Sequence, residues 1–366
     1  MNIGCNRFSV PVTYSQKVWN SQVIRKFVGS RIGLLGNPSD GFGGKTLAVM
    51  IKDFWASVTV RESPDVRIIP HPELDPFSFT SLNQMARTAT RDGYYGGSRL
   101  LYAACKRFHD YCTDHGISLA QKGFTIEYDT NIPRQVGLAG SSAIVTAAIH
   151  ALMDFYGVTD EDIPKHAQPH LVLSVETEEL EIQAGLQDRV VQVYGGAVYM
   201  DFNPDYIAEH GHGIYRPLPL ELLPPLYIAW DPRLTKTSGR MHNPMRYRYE
   251  RGDQEVISGM SQIAALADAG YEALKQPDFD ALGELMNENF DLRRRLYGEE
   301  AIGPQNLEMI EIARRHGLPA KFPGSGGAIV GIYQDDGQVE AARKALHQAG
   351  YQFALVTPTP SAQISE

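Results

Sequence analysis

Apolar and polar positions follow two rhythms along the chain, and those rhythms assign most of its elements. β-Branched and aromatic runs bounded by Gly, Pro, Asp and Asn predict strands at RIGLL (31–35), FWASVTV (54–60), VRII (66–69), FTIEY (124–128) and GAVYMDF (196–202). Between them, SRLLYAACKRFHDYC (98–112) and SAIVTAAIHALMDFY (142–156) carry apolar residues at helical spacing, the second with Val145, Ala148, Ile149, Leu152 and Tyr156 on one face. PLPLELLPP (217–225) sets four prolines in nine residues, which disfavours helix and strand interior alike and predicts a connector between two domains. LYIAW (226–230) then opens a second unit, followed by helical patterns at 254–275, 279–296 and 305–316. The close, AIVGIY (328–333), a helix at 338–349 and YQFALV (351–356), fits a small sheet with helices on one face. The first 25 residues hold neither period, so the predicted division is an irregular extension (1–25), a first domain (26–216) and a second (217–366).

Composition narrows the function. The 366 residues are 43% hydrophobic and 21% charged, as in soluble globular chains of one large or two medium domains. A net charge of −9 with no clustered run of Lys and Arg long enough to track a nucleic-acid backbone argues against nucleic acid as a partner. No apolar run approaches the roughly 18 residues that span a bilayer, so no membrane partner is expected. Three cysteines, Cys5, Cys105 and Cys112, form no CxxC and fit a reducing, cytoplasmic setting. No Asp or Glu precedes Asp40, while Arg7, Lys17, Arg25 and Lys26 are basic; this start reads either as a cytosolic tail or as an organellar transit segment.

Four segments hold the candidate chemistry. LLGNPSDGFGGK (34–45) follows a strand with a turn containing Asn37, Ser39, Asp40 and Lys45, and alone it reads equally as a hairpin loop. PRQVGLAGSSA (133–143) brings flexible residues to a helix entrance, where unpaired amides and partial positive charge suit a phosphate. Ser141 and Ser142 are expected at its N-cap or first turn, with hydroxyls within reach of a divalent cation. KFPGSGGAIVGIY (321–333) is a third glycine loop, before a strand, and the coincidence of three outweighs turn chemistry as an explanation. SVETEELEIQAGLQDRVVQVYGG (174–196) adds Glu176, Glu178, Glu179 and Glu181, which alone describe a solvated helix face, and Asp188 among Leu186, Val190, Val191 and Val193. A carboxylate in such company needs a partner or a task, and adjacent helical side chains diverge by about 100°, so Arg189 is expected to pair with it poorly.

Taken in order, these segments resemble the GHMP kinases: the early glycine turn, P-x3-G-L-x-G-S-S-A, G-x-x-D-x(6)-GG and a late G-S-G-G. RIGLLGNPSDGFGGKT, DFWASV, DGYYGGSRLL and NFDLRRRLYG add to a resemblance to the plant-type sugar-acid kinases of that family, over about residues 30–332. The resemblance implies an α+β fold of two domains, the first like domain 2 of ribosomal protein S5 and the second ferredoxin-like. It implies ATP and Mg2+ as cofactors and transfer of phosphate to the anomeric hydroxyl of a sugar acid, D-glucuronic acid. The same fold would also serve galactose, arabinose or a heptose, or a binding protein that has lost transfer. Pro133, Gly137, Leu138, Ala139, Gly140, Ser141, Ser142, Ala143, Gly324, Ser325 and Gly326 become nucleotide-binding by this likeness, and Ser141 or Ser142 with Glu176, Glu178 in reserve, becomes the metal's ligand set. Asp188 becomes catalytic with Arg31, and Asp40, Asn37 and Asp188 face the sugar; Tyr94 and Tyr95, in DGYYGG, read equally as sugar contacts or as a tyrosine-rich structural turn. Arg134, Arg293 and Arg294 are candidates for the uronate carboxylate, which needs a cationic partner. The pattern GLAGSSA has one glycine where most members have serine, or one residue more, so the magnesium serine is open by one place. The partners implied are a small sugar acid and ATP, and the chain is expected to act as a monomer or weak homodimer.

Overall fold

The computed structural model describes residues 23–92, 96–233 and 243–360. In chain order the first part contains β1 (Val23–Leu35), β2 (Lys45–Ser63), β3 (Arg67–Ile69), α1 (Leu82–Asp92), α2 (Gly97–Asp114), β4 (Gly123–Thr130) and α3 (Gly140–Tyr156). It continues through α4 (Gln168–Thr177), α5 (Leu186–Tyr194), β5 (Ala197–Asp201), α6 (Pro204–His210) and β6 (Ile214–Leu218). The second part holds β7 (Leu226–Trp230), α7 (Asn243–Glu250), α8 (Gln254–Lys275), α9 (Phe279–Tyr297), α10 (Glu299–Ile302), α11 (Pro304–Arg315), β8 (Ala328–Ile332), α12 (Asp336–Gln348) and β9 (Gln352–Val356).

Two sheets organise these elements. The larger runs β3-β4-β2-β5-β6, with β1 antiparallel to β2 along nearly its whole length. β2 spans the sheet because its first residues pair with β5 and its last with β4. Its opening stretch, KTLAVMIKD, is apolar without strict alternation, which hid it from the periodicity reading; Leu47 to Ile51 are fully buried. β1 begins at Val23, inside the stretch expected to be irregular, since Val23, Ile24 and Arg25 pair with Arg61, Val60 and Thr59. The question of a tail or transit segment concerns residues outside the described ones. β6 runs into the proline-rich connector and includes Pro217, which a strand tolerates because β6 is the sheet's edge. α3 lies against β1 and β2 with Ala143, Val145, Ala147, Ala148, Ile149 and Ala151 at most 1% exposed; its small residues bury it almost all round.

The smaller sheet is antiparallel, β8-β7-β9. Its helix α8 packs on α9 and also on β1 and β2, where Gly270 admits Leu35. After β9 the chain returns to the larger sheet: Thr359 N–H donates to Met50 O at 2.9 Å and Lys52 N–H to Thr357 O at 3.0 Å. Among the described residues no helix is long and apolar enough to cross a membrane.

Candidate active site

A cleft of about 1130 Å³ opens where the loops of both parts meet. Its first wall grows from a register shift in β1 between Gly29 and Ser30, which re-aims the next two side chains. Ser30 Oγ donates to Leu138 O at 2.6 Å, and Arg31 Nη1 donates to Gly137 O at 3.4 Å and to Pro323 O. Arg31 therefore ties together the two glycine loops, 133–140 and 323–327. These loops also touch directly. A Cβ at Gly137, which has φ 73°, would stand 2.9 Å from Ser325 N, and one at Gly324 would overlap Gly137 O. Both glycines are demanded by close backbone approach.

The helix behind the first loop starts without a side-chain cap. Ala139 holds the N-cap position at φ 61°, and no side chain accepts from the first-turn amides of α3. The conformation costs a non-glycine residue roughly 1–2 kcal/mol. It is held from three sides, because Ala139 O accepts from Ala143 N–H, Ser142 Oγ and Gln192 Nε2 at 3.2, 3.1 and 2.9 Å. Neither serine is the N-cap. Ser142 is fully buried and turned back on Ala139, whereas Ser141 is exposed and lines the cleft. Uncapped amides at a helix N-terminus suit an anion.

Asp188 sits in the first turn of α5 beneath this loop. Arg31 Nε and Nη2 reach its Oδ1 at 2.8 and 2.5 Å, and Arg189 Nη1 lies 3.4 Å from Oδ2. The contact with Arg189 is the weak one foreseen from helix geometry, but the reason is now visible: Arg189 turns away to pair with buried Glu176 on α4 and donates to Gly185 O at 2.9 Å. Glu176 borders the cleft through that ion pair. Glu178 does not; it is exposed and 3.0 Å from Arg107 Nη2.

A further part of the wall is built from the turn after β1. Asp40 stands in a short 3-10 turn, Ser39–Phe42, against α5, where a Cβ at Gly185 would lie 2.8 Å from its Oδ2. Burial, then the charge of Asp188, raises the Asp40 carboxyl from 3.8 to about 6, against the pull of Arg31 and of the Gly41 and Asp40 amides. The turn is fastened from the second part: Asn289 accepts from Gly36 N–H at 2.8 Å and donates to Asn37 O at 3.1 Å. Lys321, 1% exposed, donates to Gly33 O at 2.9 Å, Phe322 O at 2.7 Å and Asn37 Oδ1. Burial, then the charges of Arg293 and Arg31, push its ammonium well down, against the pull of Asp40.

The structure gathers Arg31, Asn37, Asp40, Pro133, Arg134, Gly137, Leu138, Ala139, Gly140, Ser141, Glu176, Asp188, Gly324 and Ser325 around one cleft. Among the described residues, six expected ones, Glu178 included, are not on its wall. Ser142, Ala143 and Gly326 are buried behind it, and Arg293 is 1% exposed, donating from Nη1 to Gly324 O at 2.7 Å rather than facing a ligand. Arg294 is turned outward to Glu299 and is not a carboxylate partner either. Asn37 borders the cleft, but both ends of its side-chain amide are engaged, Nδ2 with Phe322 O at 3.2 Å and Oδ1 with Lys321, so it acts as a brace. Tyr94 and Tyr95 lie outside the described residues. Lys321, Asn289 and the Arg189–Glu176 pair were not expected as site-building groups; NFDLRRRLYG and KFPGSGG flagged two of them only as neighbours of other candidates.

A helix entrance that leaves its amides to an anion, beside a carboxylate gripped by arginine, makes the cleft a place for moving a phosphate onto a small molecule. Fold and site define a small-molecule kinase. Residues 99–196 match the GHMP kinases N terminal domain model and residues 271–352 the GHMP kinases C terminal model. Glucuronokinase 1 of Arabidopsis thaliana is 47% identical over 334 residues, 91% of each chain. Among solved structures, the mevalonate kinase of Methanococcus jannaschii superposes with TM-score 0.68 at 20% identity, covering 93% of this chain and 99% of that one. The galactokinase of Lactococcus lactis, solved with galactose, gives 0.71 at 18%, covering 93% and 94%. The chain belongs to the GHMP kinase family.

Proposed function

We propose that the protein transfers the terminal phosphate of ATP to the anomeric hydroxyl of D-glucuronic acid. The observation that carries this reading is the 47% identity to an Arabidopsis thaliana glucuronokinase across 91% of both chains. The site's chemistry supports it. Amides of the 137–141 loop and the first turn of α3 hold the phosphates, with Ser325 opposite. Asp188 Oδ1 is occupied by Arg31, which leaves Oδ2, with only its longer contact to Arg189, to accept a hydrogen bond from the sugar hydroxyl. As the O1–P bond forms and the bond from the terminal phosphorus to the β-phosphate oxygen breaks, the hydroxyl proton passes to Asp188 and ADP leaves. Asp40 orients a sugar hydroxyl beside it.

Mg2+ takes most of its ligands from phosphates and water and needs one or two protein oxygens. Ser141 Oγ and Glu176 are those oxygens in this reading: Ser141 is the serine that borders the cleft, and Glu176 is a buried carboxylate on its wall. Bound there, the ion would neutralise charge on the transferring phosphate. A cytoplasmic setting belongs to the same reading, and Cys105 and Cys112 are free thiols.

The test is ADP release by purified protein with Mg-ATP and a panel of free sugars. Turnover highest on glucuronate is expected. Turnover on galactose, arabinose or a heptose with none on glucuronate would refute the substrate, and no turnover on any sugar would refute the activity.

A further inference from the structure

We infer that Arg246, on α7, binds the carboxylate of the sugar acid and so sets the enzyme's preference for an anionic sugar; this rests on the reading above. The sugar end of the cleft is acidic. Asp188 and Asp40 both face it, and a neutral sugar could lie between them, whereas a uronate brings a third carboxylate that needs a cation.

Most cations near the cleft are committed elsewhere. Arg31 is spent on Asp188 and the loop carbonyls, Arg189 on Glu176, and Lys321 on three oxygens. Arg293 lies behind the Gly324 loop. Arg134 belongs to the phosphate loop and stands near Tyr128, whose hydroxyl meets the N-terminus of α2 at Gly97, and Arg99 is in the first turn of that helix. Both border the cleft from the first part of the chain, and neither is without a partner.

Arg246 comes from the other side. It borders the cleft, and its guanidinium lies over the Phe42 ring, 5.4 Å from the centroid. Phe42 ends the same turn that carries Asp40, so Arg246 stands at the sugar end. α7 is fixed there: the Tyr249 and Phe42 rings are 4.9 Å apart, the Tyr249 hydroxyl donates to Phe42 O at 3.4 Å, and Met245 is buried. The acid paired with Arg246 is Glu250 at 3.9 Å, with both side chains at least half exposed. Such a pair contributes little and exchanges readily for a better-placed carboxylate. An arginine seated on an aromatic ring by the sugar loop, with a loose partner, is preorganised for a planar anion.

Steady-state kinetics of the full chain, Arg246→Gln and Arg246→Lys test this, with glucuronate, glucose and ATP each varied. The expected result is turnover of glucuronate by the unaltered protein and a rise in its KM of roughly 10- to 100-fold in Arg246→Gln, as for loss of a charge-assisted pair. The KM for ATP and kcat/KM for glucose stay near their starting values, and Arg246→Lys recovers part of the loss. An unchanged glucuronate KM in Arg246→Gln overturns the assignment and leaves the proposed substrate standing. Equal losses on glucuronate and glucose, or a parallel rise in the ATP KM, also overturn it, since Arg246 would then act by packing against Phe42. An unaltered protein that phosphorylates glucose but not glucuronate overturns both.

Discussion

Replacing Asp40 with Asn should stabilise the substrate-free protein, and only above the pH at which Asp40 ionises. Burial and the charge of Asp188 raise this carboxyl from 3.8 to about 6. A rise of that size corresponds to about 3 kcal/mol by which ionised Asp40 destabilises the fold. The sign follows from the raised value. Below 3.8 the acid is protonated in folded and unfolded chains alike, and the destabilisation is absent; it develops as pH rises and is complete above about 6. Asn keeps the shape and removes the charge. Urea unfolding of both proteins without substrate, from about pH 4 to about pH 7, should therefore show their stabilities nearly coincident at the acid end and separated by up to about 3 kcal/mol at the neutral end. Taking the difference between variants cancels the titration of groups that do not interact with Asp40. The same Asn substitution should weaken sugar binding without changing the ATP KM, a stability gained at function's expense. A stability difference that stays constant with pH would refute the argument that Asp40 is held raised by its site.

Three further outcomes follow from the geometry. Gly324→Ala places a Cβ on Gly137 O, so it should cost about 1–3 kcal/mol of stability and raise the ATP KM at least several-fold, measured by thermal unfolding and kinetics. Lys321→Met leaves Gly33 O, Asn37 Oδ1 and Phe322 O without their donor; a loss of at least about 2 kcal/mol in urea unfolding is expected, and a neutral effect would show that the three bonds do not hold the loops together. Glu176→Gln should raise the free Mg2+ needed for half-maximal ADP release by roughly tenfold or more, whereas an unchanged requirement would remove Glu176 from the metal's ligands.

The parts of this site that could be read from sequence are those in which residue type alone carries the constraint. Glycines at 137 and 324 announced close backbone approach, and an aspartate at 188 among valines announced an unusual environment. What the glycines approach was less visible: they meet each other as well as the cleft, a contact between segments nearly two hundred residues apart. The Glu176–Arg189 pair was hidden for a similar reason. It closes across the turn between α4 and α5, and neither helix's own periodicity reports it. Burial separates the two serines, because Ser142 turns its hydroxyl back to Ala139 O while Ser141 borders the cleft. RRR at 293–295 gave the wrong emphasis, since helix geometry sends Arg293 inward behind a loop and Arg294 outward to Glu299. Among strands, Pro217 was misleading because proline's missing donor matters only where a neighbour strand needs it, and β6 is an edge. Arg246 gave no signal in sequence; only the packing of α7 on Phe42 brings it to the turn that carries Asp40.

Transfer of phosphate to the anomeric hydroxyl, with Asp188 taking the hydroxyl proton, is tested most directly by phosphorus NMR of the product formed from Mg-ATP and glucuronate. The expected product is a sugar 1-phosphate with the phosphorus coupled to the anomeric proton, formed slower by orders of magnitude in Asp188→Asn while ATP still binds. A phosphate on any other oxygen, or an Asp188→Asn variant that turns over at close to the unaltered rate, would contradict it.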